Sequence, residues 1–248
     1  MSQIVFGIHP IQNILENSPQ RIKTVLVLKG YHNIRLQHLL QLIKKNKISI
    51  NLAHRKTLDH QSEGAVHQGI IAYTTPIRQF QEDDLLILLS KLPNPFLLIL
   101  DGITDPHNLG ACIRSAYAAG ADVILLPKNH SAKLNSTVIK VASGSAEHIP
   151  LIYVTNLART IRILKKHNIW IIGTTEKANH TLYQSNMQGP IALVMGAEDK
   201  GIRRLTYEHC NEIIRIPMYG SVSSLNVSVA TGICLYEAMR QRILTQIK

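Results

Sequence analysis

Two periodicities alternate along the first part of the chain. "IHPIQNILEN" carries apolar residues at helical spacing and stops before Pro19, whereas "IKTVLVLKG" has the pattern of a strand closed by glycine. "IRLQHLLQLIKKNK" predicts an amphipathic helix with Leu36, Leu39, Leu40 and Ile43 on one stripe. "ISINLAHR" alternates as a strand, and "QGIIAYTTP" predicts another that ends at Pro76. Residues 1–76 therefore read as a small α/β domain. A polar, acidic stretch with one short helix between Pro76 and Pro93 follows, and residues 77–94 read as a linker.

Beyond the linker the units lengthen. Strands are expected at "FLLILDGI", "DVILLP", "IPLIYV", "IWIIGTT", "PIALVMGAE" and "EIIRIPM". Helices are expected at 107–119, 132–143, 156–167 and 226–243, with a shorter one near 203–209. Near-continuous apolar strands alternating with helices predict a second α/β domain over 95–248, a parallel sheet with helices on both faces. Such sheets place ligands beyond the carboxyl ends of their strands, so the loops there are the ones to inspect.

Three of those loops carry chemistry. "TDPHNLGACIRSAYAAGA" puts Asn108 at the entry of a helix and Arg114 nearly two turns inside it, among small residues that leave room for something large. A capping Asn and a surface Arg are the simpler alternative. After "PIALVMGAE", Gly196 and Gly201 flank Glu198, and glycines there let bare backbone approach a flat ligand or merely make a turn. "MYGSVSSLNVSVATGICLYEA" crowds Ser221, Ser223, Ser224 and Ser228 around Asn226. A helix start needs one capping residue, so this run implies a ligand or backbone passing close by.

Other chemistries are absent. The sequence has no G-x-G-x-x-G turn after its first long strand, no P-loop and no G-x-S-x-G elbow. Cys112, Cys210 and Cys234 are widely separated, and no His cluster accompanies them, which argues against a disulfide framework and against a metal. Cys112 and Trp170 are expected to be core residues. No apolar run is long enough to span a bilayer and the start lacks a secretion signal, so a cytoplasmic protein is expected.

Charge adds a partner. The net charge is +11, with +6 in residues 1–75, −1 in 76–100 and +6 in 101–248. A basic excess at both ends suggests a polyanion contacted by both, and nucleic acid is the natural one.

Together, "DPHNLGACIRSAYAAG", "LVMGAEDKGI" and "IPMYGSVSSLNVSVATGICLYE" resemble the three ordered motifs of the SpoU/TrmH group of RNA 2′-O-ribose methyltransferases, in the SPOUT superfamily. The match covers about residues 95–245, and "GIHPIQNIL" with "GAVHQGIIA" resembles the ribosomal-protein-like RNA-binding domain often found ahead of it. The resemblance implies a deep C-terminal trefoil knot, an exception to the usual avoidance of knots. It implies S-adenosylmethionine as methyl donor, no metal, and a homodimer whose last helix packs on its partner. It implies Asn108, Arg114, Glu198, Ser224 and Asn226 as catalytic residues, and Met195, Gly196, Gly201, Ile216, Met218 and Leu225 as cofactor-binding residues. Gly220 and the serines would then be small so that backbone can thread past backbone.

The whole-length similarity implies a guanosine ribose in the peptidyl-transferase region of 23S ribosomal RNA as target, in free RNA or an assembly precursor. Arg114 matches the family's catalytic arginine, but a guanidinium stays protonated, so a phosphate and oxyanion clamp suits it better than a base. Two rivals share the pattern. A non-catalytic RNA-binding protein would not need the intact polar set, and a transfer-RNA methyltransferase would not need the N-terminal domain.

Overall fold

The computed structural model describes residues 3–31, 33–76 and 80–246. In chain order the first elements are β1 (Gln3–Phe6), α1 (Ile8–Asn17), β2 (Ile22–Leu28), α2 (Ile34–Lys45), β3 (Ser49–Ala53), α3 (Arg55–Gln61) and β4 (Ile70–Thr74). Next come α4 (Asp84–Leu89), β5 (Phe96–Asp101), α5 (Pro106–Ala118), β6 (Val123–Pro127), α6 (Ser136–Ala142), β7 (Leu151–Val154) and α7 (Leu157–Lys166). The last are β8 (Trp170–Thr174), β9 (His180–Thr181), β10 (Ile191–Gly196), α8 (Arg204–His209), β11 (Glu212–Arg215) and α9 (Val227–Gln246).

Two compact units result, and the cut is not linear. One holds residues 1–78 together with Leu134–Glu147, the other Gln79–Lys133 and His148–Lys248. In the first unit a mixed sheet of order β1-β4-β2-β3 pairs β2 with β3 in parallel and with β4 antiparallel. Leu36, Leu39 and Ile43 of α2 bury beside Ile11 and Leu15 of α1, as the amphipathic spacing predicts, while Leu40 is only half-buried. Helix α6 belongs here because Ile139 is buried in the same cluster. The Asn13 amide donates to the Ser143 carbonyl at 2.8 Å and the Lys140 ammonium to the Val66 carbonyl at 2.7 Å. The expected linker splits: 77–79 lie outside the described residues, and α4 buries Leu85 and Leu89 in the core of the second unit.

The second unit is built on a seven-stranded sheet of order β7-β6-β5-β10-β8-β11-β9, with parallel pairing throughout. Leu97, Ile99, Ala192 and Val194 point to one face, where Leu157, Ile161 and Leu164 of α7 cover them. Their neighbours Phe96, Leu98 and Leu193 are equally buried on the other face. Strand side chains alternate between faces, so both faces are covered and continuous apolar runs result. Helices α5 and α9 pack together through the Cys112 thiol, 3.5 Å from the Thr231 hydroxyl.

Cys112 has the expected core position, and burial pushes its thiol up to about 11. A thiol held there is not a nucleophile at neutral pH. Native protein is therefore expected to resist thiol reagents at this position and to react there only once unfolded; mass spectrometry of alkylated protein checks it. Trp170 departs from expectation: it is 48% exposed, on the strand end where its indole N–H reaches the Glu212 carboxylate at 3.4 Å.

Candidate active site

Parallel strands deliver their following loops to one edge, and three loops meet there. Helix α5 starts just after β5. Its cap is Asp105, whose carboxylate accepts from the His107 and Asn108 N–H groups, rather than Asn108 itself. Asp before a Pro at the first helical position is a capping signature that the Asn108 reading overlooks. With the cap supplied by Asp105, the Asn108 side chain is released to reach across to the loop after β10.

There it finds Glu198. Glu198 Oε1 accepts from Asn108 Nδ2 at 3.2 Å, from Asn226 Nδ2 at 2.6 Å and from the Val227 N–H at 3.1 Å. Asn226 Nδ2 also donates to Asn108 Oδ1 at 2.9 Å, and Asn226 Oδ1 accepts from the Ser228 N–H at 3.0 Å and from its hydroxyl. Both amide hydrogens and the carbonyl of Asn226 are thus engaged. Asn226 is a hub that locks α5, the Glu198 loop and the start of α9 together. Glu198 Oε2 has no hydrogen-bond partner among the described residues, and Glu198 is exposed. The serines do not cap α9; Asn226 and Glu198 satisfy its first N–H groups.

Beside this triad lies a cleft of about 750 Å³. Met195, Gly196, Gly201, Ile216, Met218 and Leu225, six residues from the ends of β10 and β11 and the loops that follow them, all line it, together with Ser224 and Glu198. Thr174, Thr175 and Arg215 line it too. Their position at the ends of β8 and β11 is the signal that points to them. The volume falls within the range of small-molecule sites, about 300–1,000 Å³.

Close backbone contact shapes one wall. A Cβ added to Gly196 would lie 2.1 Å from the Gly201 carbonyl carbon, because Ala197 and Gly201 exchange backbone hydrogen bonds across the loop. Gly201 itself holds φ +61°, in the left-handed region. Asp101, fully buried at the end of β5 in register with Gly196, accepts the Arg203 N–H at 3.0 Å and closes the loop from below. Gly196→Ala is expected to push the loop off this strand end and weaken ligand binding in the cleft by about tenfold or more; calorimetric titration with S-adenosylmethionine, the ligand that the sequence resemblance implies, checks it. Gly220 is different: nothing lies within 4 Å of an added Cβ, and Ser221, Ser223 and Ser224 are exposed. The small residues of this run therefore leave the cleft open rather than accommodate tightly crossing backbone, which corrects the sequence expectation.

Arg114 stands apart. It is exposed on α5 and has no ion-pair or hydrogen-bond partner among the described residues. Six residues beyond Asn108, it lies about 9 Å further along the helix axis and on another face. The structure brings together Asn108, Glu198 and Asn226, sets Ser224 on the cleft wall, and leaves Arg114 pointing elsewhere.

A parallel α/β sheet with a small-molecule cleft and a polar triad at its strand ends defines a ligand-binding α/β unit of the enzymatic kind. Residues 95–236 match the SpoU rRNA Methylase family, and residues 4–80 match the RNA 2′-O ribose methyltransferase substrate binding family. The chain belongs to the SpoU rRNA methylase family. It is 60% identical over 242 residues to the 23S rRNA (guanosine-2′-O-)-methyltransferase RlmB of Photorhabdus laumondii, covering 98% of this chain and 99% of that protein. The Escherichia coli K12 protein of the same name is also 60% identical, over 98% of this chain and all of its own length. Among solved structures, the SpoU methyltransferase AviRb of Streptomyces viridochromogenes in complex with AdoMet superposes with a TM-score of 0.78. It is 25% identical and aligns with 98% of this chain and 91% of its own.

Proposed function

We propose that this protein transfers a methyl group from S-adenosylmethionine to the ribose 2′-hydroxyl of a guanosine in the peptidyl-transferase region of 23S ribosomal RNA. The observation that carries the reading is the convergence of Asn108, Glu198 and Asn226 at the mouth of a cleft lined by Met195, Gly196, Gly201, Ile216, Met218 and Leu225. The donor set suits the cofactor: apolar side chains and open backbone for an adenosine, and Glu198 carboxylate charge for a cation. When bound, S-adenosylmethionine supplies an electrophilic methyl group on a sulfonium.

The chain's own residues supply alignment and charge. Asn226 and Asn108 hold the Glu198 carboxylate in one orientation, with Oε2 left to accept a hydrogen bond or proton from the ribose hydroxyl. The exposed Ser224 hydroxyl, on the cleft wall, positions the ribose. Arg114 clamps the neighbouring phosphate and stabilises the developing oxyanion, in keeping with a guanidinium that stays charged.

Because Arg114 does not join its own chain's triad, we infer that it serves the site of a partner protomer. Val229, Tyr236 and Ile243 form an exposed stripe at seven-residue spacing on α9, which supports a homodimer. The return of residues 216–226 from β11 to a cleft also walled by 195–201 supports the expected C-terminal knot. The domains are read as 1–76, a linker at 77–94, and a methyltransferase domain at 95–248. Residues 134–147 of that last domain pack with the first unit.

The direct test of the substrate is competition. Purified protein with labelled cofactor is expected to methylate unmodified 23S ribosomal RNA and not transfer RNA. Methylation of transfer RNA alone would assign the chemistry to the rival substrate.

A further inference from the structure

The strand-end edge carries a group of cations that the polar triad does not use. Strand β6 runs into Lys128-Asn129-His130-Ser131-Ala132-Lys133, a loop with basic side chains and no acid. Lys128, His130 and Lys133 are all exposed. Yet the loop is tied down. Its Ala132 N–H donates to the Ile103 carbonyl at 2.8 Å, and the Tyr153 hydroxyl donates to the Ala132 carbonyl at 3.2 Å. The Lys133 ammonium donates to the Lys128 carbonyl and sits 5.0 Å from the centre of the Tyr153 ring. His130 holds φ +58°, a conformation uncommon outside glycine.

Arg203 arrives from the β10 side. A Cβ on Gly102 would lie 3.5 Å from Arg203 Nη2 and 3.8 Å from the His130 carbonyl, so the two loops meet over Gly102. Buried Asp101 lies 3.5 Å from Arg203 Nε, which orients a guanidinium that remains 44% exposed. Four cationic or donor side chains thus stand on loops held to one backbone framework, and a cluster of this kind attracts anions. The rim borders β5, which leads to Asn108, and β10, which leads to Glu198.

We propose that Lys128, His130, Lys133 and Arg203 form a phosphate-binding rim that holds the RNA backbone beside the target nucleotide. This rests on the RNA-methyltransferase reading and adds to it: the methyltransferase unit grips the RNA strand itself, independently of the N-terminal unit. Base identity is not read here, because ammonium and guanidinium groups at phosphates position a strand without specifying it.

The test uses the full-length protein and an unmodified 23S ribosomal RNA transcript, with binding measured across a salt series. For Lys128→Ala/Lys133→Ala the slope of log affinity against log salt is expected to shrink by about 1.4, two contacts at about 0.7 each for a single strand. Affinity for S-adenosylmethionine is expected to stay unchanged. Lys128 makes no side-chain bond among the described residues, so Lys128→Glu alone is expected to weaken RNA binding without disturbing the Lys133–Tyr153 contact. Unchanged affinity and slope in both variants would overturn the rim while leaving the methyltransferase reading standing. Wild-type protein that binds no RNA would instead bring down that reading and the rim with it.

Discussion

Arg114→Lys is expected to lower turnover by about a hundredfold or more, the scale of removing a preorganised transition-state donor, while RNA affinity stays near that of the unaltered protein. Lysine keeps the charge but loses the planar fork that grips a phosphate at two points. The residue is exposed and has no partner among the described residues, so the substitution costs the fold little. Single-turnover rates with saturating RNA check this, and near-full activity in the lysine variant would contradict the bidentate clamp. The same residue tests the sharing of sites. Co-expressed Arg114→Ala and Glu198→Ala chains are expected to recover about a quarter of full activity, from one intact site in each mixed dimer of a two-fold assembly. No recovery would place Arg114 in its own chain's site.

Glu198→Ala is the second large effect. It removes the acceptor shared by Asn108, Asn226 and the Val227 N–H, and frees three elements from one another. Turnover is expected to fall by about a hundredfold or more. Stability should fall far less, because each exposed hydrogen bond contributes only about 1 kcal/mol. Glu198→Gln separates two roles. Its carbonyl can still accept, so a carboxylate that serves only as a scaffold would leave the Gln variant active. The expected result is a Gln variant as inactive as Ala, as the proposed role of Oε2 toward the ribose hydroxyl requires. An active Gln variant would assign the proton to water.

Long apolar strands announce themselves, so β5, β6, β8 and β10 were readable from sequence, and so was the parallel sheet they form. The amphipathic stripe of α2 was equally plain. What the pattern left out was short or polar: "QIVF" at the chain start, the polar α3 and the two-residue β9 have too few positions for a period to show. The packing of residues 134–147 with the first unit depends on tertiary contacts of Ile139 and Asn13, which no local pattern encodes. Among site residues, Asn108, Glu198 and Asn226 could be picked from strand-end loops, but their mutual bonding could not. Nor could the capping by Asp105 that frees Asn108, or the buried Asp101 beneath the Glu198 loop. The serine run was visible, yet its physical meaning differed: an open cleft wall rather than a tightly packed crossing.

The central claim is methyl transfer to a guanosine 2′-hydroxyl, and one digestion tests it. Purified protein, labelled S-adenosylmethionine and unmodified 23S ribosomal RNA are combined, and the product is hydrolysed in alkali. A 2′-O-methyl group blocks cleavage at its own phosphodiester, so the account predicts label in an alkali-resistant dinucleotide that begins with guanosine. Label in mononucleotides would mean methylation of a base and would contradict the account.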